Sequence, residues 1–395
     1  MAMSSTESSD GAPAAAAPPG TPDAAAVPGG PGDTGGPGGP GPAAAPGLSA
    51  DLDAWTRRVL ARHFDPEQGS PFWLERLPTL GFDPLEITGY DGLEQFGPFA
   101  LEALRKTDPV DLLPRNVPRP LSGRVYETGG TTGAPCRLFH TGAMLAQQAA
   151  WRRFALRSAG FAEGRTWLHA MPSGPHPVGE SAGRTASLHA SLVYAVDVDP
   201  RWIRELIRDG RLAEVNRYVG HVVRQMTDVL ESTRVHYLET TPALLQVLVR
   251  QRPELVAALD GIALEGTQVM PSMYREFVAA LDGGVIGTSY GNALGNAVGL
   301  PARLGAGPDE DLLPYVPHYP EVTMAVVDKK DPRRVVDFGE VGQLRITTLH
   351  DDLFLPNVLE RDQAVRCATP DGWPCDGVAN LQPLQVAWEL PDGMY

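Results

Sequence analysis

Large side chains are scarce at the front of this sequence. Residues 1–47 are nearly all Ala, Gly, Pro, Ser, Thr and Asp, with no aromatic residue and almost no large aliphatic one. Such a stretch has too little apolar surface to offset the entropy of ordering it, so the expectation is a disordered tail. No basic residue precedes Arg57 and no continuous apolar run fills the stretch. Those two absences argue against a secretory signal and an Arg-rich transit peptide. Nowhere does the chain offer roughly 18 consecutive apolar residues, which argues against a membrane-spanning helix. Clustered Lys and Arg are also missing, and the formal net charge is -15. A general nucleic-acid binder needs cations for phosphate, so that class is disfavoured, although a local basic pocket stays compatible with the charge. The three cysteines, Cys136, Cys367 and Cys375, have no paired ligand spacing and no even count for a disulfide framework. A reduced, cytoplasmic protein is the simplest expectation. There is no internal repeat and no G-x-G-x-x-G fingerprint.

What is present suits a substantial core: 395 residues, 43% of them hydrophobic. Order is expected from Leu48. Leu52, Trp55, Val59, Leu60 and Phe64 fall on one helical face, with Ser49 or Asp51 available as the cap. "GAMLAQQAAWRRFALRSAG" predicts a long helix. Short β-like runs then alternate with helical ones: "TWLHAMP", "SLVYAVDV", "EVNRYVGHVVRQMTDVLES", "VHYLET", "TPALLQVLVRQ", "GIALEGTQV", "SMYREFVAAL" and "GVIGTSYG". Alternation of this kind predicts an α/β domain with a largely parallel sheet. After Pro320 the pattern becomes strand, turn, strand, which is antiparallel in character. The chain therefore divides into a tail over residues 1–47, an α/β core over 48–319 and a β-rich subdomain of that core over 320–395.

The stretch "ETGGTTGAPCR", from Glu127 to Arg137, follows the β-prone Val125 and Tyr126. Gly129, Gly130 and Gly133 permit positive φ and close backbone approach, while Thr128, Thr131 and Thr132 place hydroxyls beside free amides. That composition serves equally for the mobile tip of a hairpin and for a loop that cradles phosphate. Cys136 has no flanking His or Lys to lower its pKa, which disfavours a nucleophilic role. His169 lies in an apolar run and is expected to be a satisfied core residue. His176 stands between two prolines in "MPSGPHPVGES", a stretch that reads as a loop.

Four features in order carry a family likeness: "TGGTTGAP" from Thr128, "LEGTQVMP" from Leu264, "SYGNALGNAVGL" from Ser289, and "GEVGQLRITTL" followed by "LPNVLERDQAV". Together they resemble the adenylate-forming superfamily of acyl-CoA synthetases, peptide-synthetase adenylation domains and luciferases. The nearest look is to the phenylacetate-CoA ligase branch, and within it to the atypical adenylating proteins of phenazine antibiotic biosynthesis. The likeness runs from about residue 50 to the end. It implies an α/β fold, the large N-terminal domain of adenylate-forming enzymes, with stacked mixed sheets, helices and a small β-rich subdomain. It implies an ATP or AMP site in which Thr128, Gly129, Gly130, Thr131, Thr132 and Gly133 hold phosphate. Gly266 and Thr267 would lie along adenine, Tyr290, Gly291 and Asn292 beside adenine and the acyl carboxylate, and Asp362 would accept the ribose hydroxyls. His176 is placed near the acyl pocket, as a base or a wall.

The departures from that pattern are equally specific. The family's loop usually ends Pro-Lys, whereas Pro135 is followed here by Cys136, with Arg137 as the cation that would replace the lysine. The family's Glu for Mg²⁺ falls at Leu294, which puts metal handling in question. The small C-terminal lid with its lysine should follow Asp362, and no lysine follows Lys330. The lid is expected to be lacking, and turnover to be slow without a partner that supplies one. The resulting expectation is an enzyme that activates or transfers an aromatic carboxylic acid in secondary metabolism. Its expected partners are a small-molecule aryl carboxylate and CoA, a carrier protein, a reductase or an acyltransferase. The competing readings are a catalytically degenerate acyl- or aryl-ligand binding protein and an acyltransferase that uses a preformed thioester.

Overall fold

The computed structural model describes residues 45–128, 135–188 and 191–384. Residues 45–47, assigned to the tail by composition, fall within it: Ala45 packs with Trp151 and Tyr319. Helix α1 (Leu52–His63) begins where the Asp51 carboxylate accepts from the Ala54 amide at 2.8 Å, and its last turn carries Arg62, which complements the helix dipole. Its apolar face joins a cluster in which Phe64, Trp73, Phe96 and Phe354 pack ring against ring, with α2 (Pro71–Arg76) and α3 (Glu102–Arg105) alongside.

Strands β1 (Gly123–Glu127) and β2 (Arg137–Thr141) pair antiparallel, Glu127 opposite Arg137. Thr141 then caps α4 (Gly142–Ser158) by accepting from the Met144 amide. The α/β succession follows: β3 (Trp167–Met171), α5 (Pro177–Leu188), β4 (Val193–Asp197), α6 (Pro200–Arg208), α7 (Leu212–Ser232), β5 (Tyr237–Thr240), α8 (Pro242–Gln251), α9 (Pro253–Ala257), β6 (Gly261–Leu264), α10 (Pro271–Ala280) and β7 (Val285–Gly291). Helix α5 replaces the loop expected around His176. Six strands follow: β8 (Asn296–Gly299), β9 (Pro314–Pro317), β10 (Val322–Val327), β11 (Val341–His350), β12 (Leu353–Cys367) and β13 (Gly377–Pro383).

Among the described residues, eleven strands form one mixed sheet in the order β10-β11-β12-β13-β9-β8-β7-β6-β5-β3-β4. The pairs from β4 to β7 are parallel, as the alternation predicts; from β7 to β10 every pair is antiparallel. The change of sense falls at β7, which carries Tyr290 and Gly291. Since β13 pairs with β9, the strands after residue 320 continue the sheet begun before it.

The parallel strands are covered on both faces, which is why they read as continuous apolar runs. Leu168, Ala170, Leu238, Ile262 and Leu264 pack with Val222, Val223, Leu244, Leu248 and Phe277 from α7, α8 and α10. The alternate residues point to the opposite face, where Leu156 of α4 packs with Trp167, Tyr237 and Ala263.

Candidate functional site

On the α4 face, strand register lines up two rows of side chains. One row is His169, Glu239, Ala263 and Gly287; two residues further along each strand lie Met171, Thr241, Glu265 and Ser289. Ala263 and Gly287 are small, and α4 presents Gln148, Arg152, Ala155, Leu156 and Ala159 at helical spacing above them. The space between is a cavity of about 430 Å³, within the range of about 300–1,000 Å³ usual for small-molecule pockets. It opens at the carboxyl ends of the parallel strands, beside the seam where the sheet changes sense, the position where open α/β sheets bind ligands.

At the seam, Tyr290 donates its hydroxyl to Asp362 Oδ2 at 2.6 Å, so the two residues singled out from separate motifs meet. Asn292 donates from Nδ2 to Glu360 Oε1 at 3.0 Å and accepts, through Oδ1, from the amides of Leu294 and Gly295. Burial and the neighbouring Asp362 push the Glu360 carboxyl up to about 7. Burial also raises Asp362, partly offset by the Tyr290 hydroxyl, and raises Tyr290 well above the usual phenol value. Tyr290, Gly291, Asn292 and Asp362 all line the cavity, as does Gly266. Gly266 has φ +85, and a Cβ there would sit 2.8 Å from Met171 Cε, so the glycine both permits the turn and keeps the wall clear. Thr267 lies in the same turn but does not line the cavity. Leu294 is buried in the aromatic cluster, where it offers a metal no oxygen. Among the described residues no group of three or more His, Cys, Asp or Glu is arranged to hold a metal ion.

Of the Gly/Thr loop, Gly129, Gly130, Thr131, Thr132 and Gly133 lie outside the described residues, and its neck lies within them. The Thr128 amide donates to the Cys136 carbonyl and the Cys136 amide to Thr128 Oγ1, both at 2.9 Å. This pairing closes the loop and leaves the Thr128 hydroxyl proton free to donate toward the cavity that Thr128 lines. Cys136 itself is buried, its thiol directed at the Leu101 carbonyl. Arg137 is spent on Glu127, Nε to Oε1 at 3.1 Å, with 63% of its side chain exposed, and it does not line the cavity. His176 does, directly before the first residue of α5. Burial lowers its pKa, and Arg201 and Arg204 lower it further.

The opposite end of the cavity holds a cluster that the motifs do not reveal. Arg152 donates from Nη1 to Glu265 Oε1 at 2.9 Å and from Nη2 to Glu239 Oε1. His169 Nδ1 lies 2.7 Å from Glu239 Oε2, and the Ser289 hydroxyl donates to Glu265 Oε2 at 2.7 Å. Burial opposes every charge here. Arg152 nonetheless holds Glu239 well below the usual carboxylate range, while Glu265 is raised by burial and by Glu239. His169 is thus only half satisfied: its Nε2 is buried without a partner, against the expectation of a fully bonded core residue. A trace of the cluster is visible in sequence, since Glu239 stands inside a strand whose four residues are all buried.

His318 lines the same cavity, and His140 lines a small neighbouring void on the other side of Gln148. His140 donates from Nε2 to the Ala293 carbonyl at 2.9 Å and accepts at Nδ1 from Gln148, and burial lowers it to about 4. His318 stacks on Trp151 with ring centroids 5.2 Å apart, and burial lowers it to about 3.

No protein-family profile matches this chain. No curated protein matches it either. Solved structures do. A 2-hydroxyisobutyryl-CoA ligase in the postadenylation state with R3-HIB-AMP superposes with TM-score 0.59 at 13% identity, over 83% of this chain and 65% of the other. The same ligase with 2-HIB-AMP and CoA in the thioesterification state gives TM-score 0.59 at 14% identity, over 84% and 67%. Its open conformation with 2-HIB-AMP and CoA gives 0.57 at 14%, over 83% and 72%. The fold is the large N-terminal domain of adenylate-forming enzymes. The chain spans about two thirds of the length of these structures, 65% of the first.

Proposed function

We propose that this chain binds an adenylate in the cavity and activates, or hands on, an aromatic carboxylic acid. The observation that carries the reading is the Tyr290–Asp362 hydrogen bond at the seam of the sheet. It fixes a carboxylate at the mouth of a pocket whose wall is the Gly266 turn and whose edge is the neck of the Gly/Thr loop. Asp362 keeps acceptor capacity for two ribose hydroxyls, Thr128 keeps a donor for phosphate, and the walls formed by Leu156, Ala159 and Gly287 are apolar, as an aryl ring requires. A bound ATP would supply the adenylyl group to the acid's carboxylate, with pyrophosphate leaving; the chain's own residues would position the two and exclude water. The phenylacetate-CoA ligase branch, a role in antibiotic biosynthesis, and CoA, carrier-protein or reductase partners rest on the motif likeness alone, and a cytoplasmic location on the cysteine usage; all are part of the proposal. Among the described residues no helix is long and apolar enough to cross a membrane.

A second reading has its own observation. Leu294 is buried where the likeness implies a carboxylate, and Cys136 stands where it implies a lysine. The first change removes a ligand for Mg²⁺ and the second a lysine cation, each of which would offset charge on the leaving pyrophosphate, and this favours a protein that holds an acyl-adenylate better than it makes one. Calorimetric titration with a non-hydrolysable aroyl-sulfamoyl adenosine, alongside acid-dependent pyrophosphate release from ATP, tests both. Tight analogue binding with slow release supports adenylate holding, and brisk release supports the complete enzyme. Failure of the analogue to bind overturns the shared proposal.

A further inference from the structure

The Arg152 end of the cavity is an ionic cluster with unequal charge. Among the described residues Arg152 is the one guanidinium in contact with Glu239 and Glu265, and His169 donates a proton to Glu239 without needing a charge of its own. Glu239 is sealed at 2% exposure, with both oxygens engaged; Glu265 keeps 15% and lines the cavity. The guanidinium is already divided between two carboxylates, so it has little attraction left for an anionic group. Glu265 accepts one hydrogen bond on each oxygen and also faces the Glu239 carboxyl within hydrogen-bond reach, so that acceptor capacity is left on the oxygen turned to the cavity. The unpartnered, buried Nε2 of His169 and Nε of Arg152 lie just behind, beside a small void lined by Trp167, Ala182 and Val193. The walls two residues back along β6 and β7, away from Tyr290, are Ala263 and Gly287 with Leu156 and Ala159 of α4, and they carry no polar side-chain atom.

From this arrangement we infer that the acid received here carries a hydrogen-bond-donating substituent, an amino or hydroxyl group, that is taken up by Glu265. The inference rests on the proposed function, because it assigns the acyl end of the ligand to this end of the cavity. A donor meets an open, cavity-facing carboxylate oxygen. An unsubstituted ring leaves that carboxylate desolvated with two neutralising contacts at most, and a second carboxylate on the ring would meet repulsion from both glutamates. Arg152 acts through Glu265 as a positioning residue, since it fixes the carboxylate in one rotamer.

The test is a calorimetric series on the full chain. The probes are AMP, benzoyl-sulfamoyl adenosine, and its ortho, meta and para amino and hydroxy derivatives. At least one amino or hydroxy derivative should bind about ten- to hundredfold more tightly than the unsubstituted compound, the scale of one hydrogen bond to a charged acceptor. In Glu265→Leu that ratio should fall to about one, and in Glu265→Gln to a value between one and that of the parent, because the amide keeps an acceptor but no charge. The amino and hydroxy arms separate the two donor types. If AMP and benzoyl-sulfamoyl adenosine bind but no derivative gains over the latter, or if Glu265→Leu keeps the wild-type ratio, the inference is overturned and the proposed function stands. If neither AMP nor any analogue binds, both fall together. Should Glu265→Leu fail to fold, the wild-type ratio and Glu265→Gln decide.

Discussion

The two polar ends of the cavity are built on opposite principles. At the seam, neutral donors meet carboxylates: the Tyr290 hydroxyl on Asp362 and the Asn292 amide on Glu360. Near α4, a guanidinium is clamped between Glu239 and Glu265. Groups at the first end are positioned by short bonds to neutral partners and keep acceptor capacity in reserve. Those at the second end hold one another, so the cluster is as much a structural tie between α4 and the sheet as a ligand surface. The difference suggests that the seam end tolerates substitution in folding and loses ligand, whereas the α4 end loses the fold first.

The largest expected effect tests that contrast. Arg152→Met leaves two buried carboxylates without their cation and should cost about 3–5 kcal/mol of stability in urea unfolding. A loss under about 1 kcal/mol would show that water or relaxation substitutes for the guanidinium, and the clamp would cease to differ from the seam.

Titration gives the next effect, with opposite signs for two residues at the cavity. His318 is held at about 3, below its ordinary 6.5, so the unfolded chain takes up the proton first and folding loses stability as pH falls below about 6.5. Glu360 is held at about 7, above its ordinary 4.5, so its contribution is present at low pH and is lost as pH rises from about 4.5 through 7. Between pH 5 and 6.5 each slope is about 1.4 kcal/mol per pH unit. Relative to the parent, His318→Phe should gain stability as pH falls and Glu360→Gln should gain it as pH rises. Parallel pH profiles for parent and variant would mean that the residue titrates normally in the folded protein.

The smallest effect belongs to a residue outside both ends. Arg137 pairs with Glu127 at the surface, and Arg137→Ala should change stability by no more than about 0.5 kcal/mol. A larger loss would place this ion pair alongside the Arg152 clamp.

Legibility in the sequence follows the same division. Local signals reported local structure well: the Asp51 cap with the Leu52–Phe64 stripe gave α1, and the runs before and after Pro320 foretold a parallel and an antiparallel part, although the change of sense falls earlier, at β7. Tyr290 and Asp362 could be singled out because each sits in an ordered motif, although their contact spans 72 residues of sequence. Helix α5 was missed because the Pro and Gly around His176 read as a loop, when Pro177 in fact starts the helix. Arg152, Glu239 and Glu265 were missed for a different reason. Each belongs to a separate element, and only the parallel register of β3, β5 and β6 brings His169 beside Glu239 and sets Glu265 one row beyond. No short window of sequence contains that alignment.

The central claim is that the seam end binds the ribose of an adenylate, and Asp362 tests it most directly. Calorimetric titration of AMP into the parent chain and into Asp362→Asn should show at least about tenfold weaker binding in the variant, the scale of hydrogen bonds to a charged acceptor, with the urea midpoint little changed. Equal AMP affinity in the two proteins, or a parent chain that does not bind AMP at all, would contradict the account.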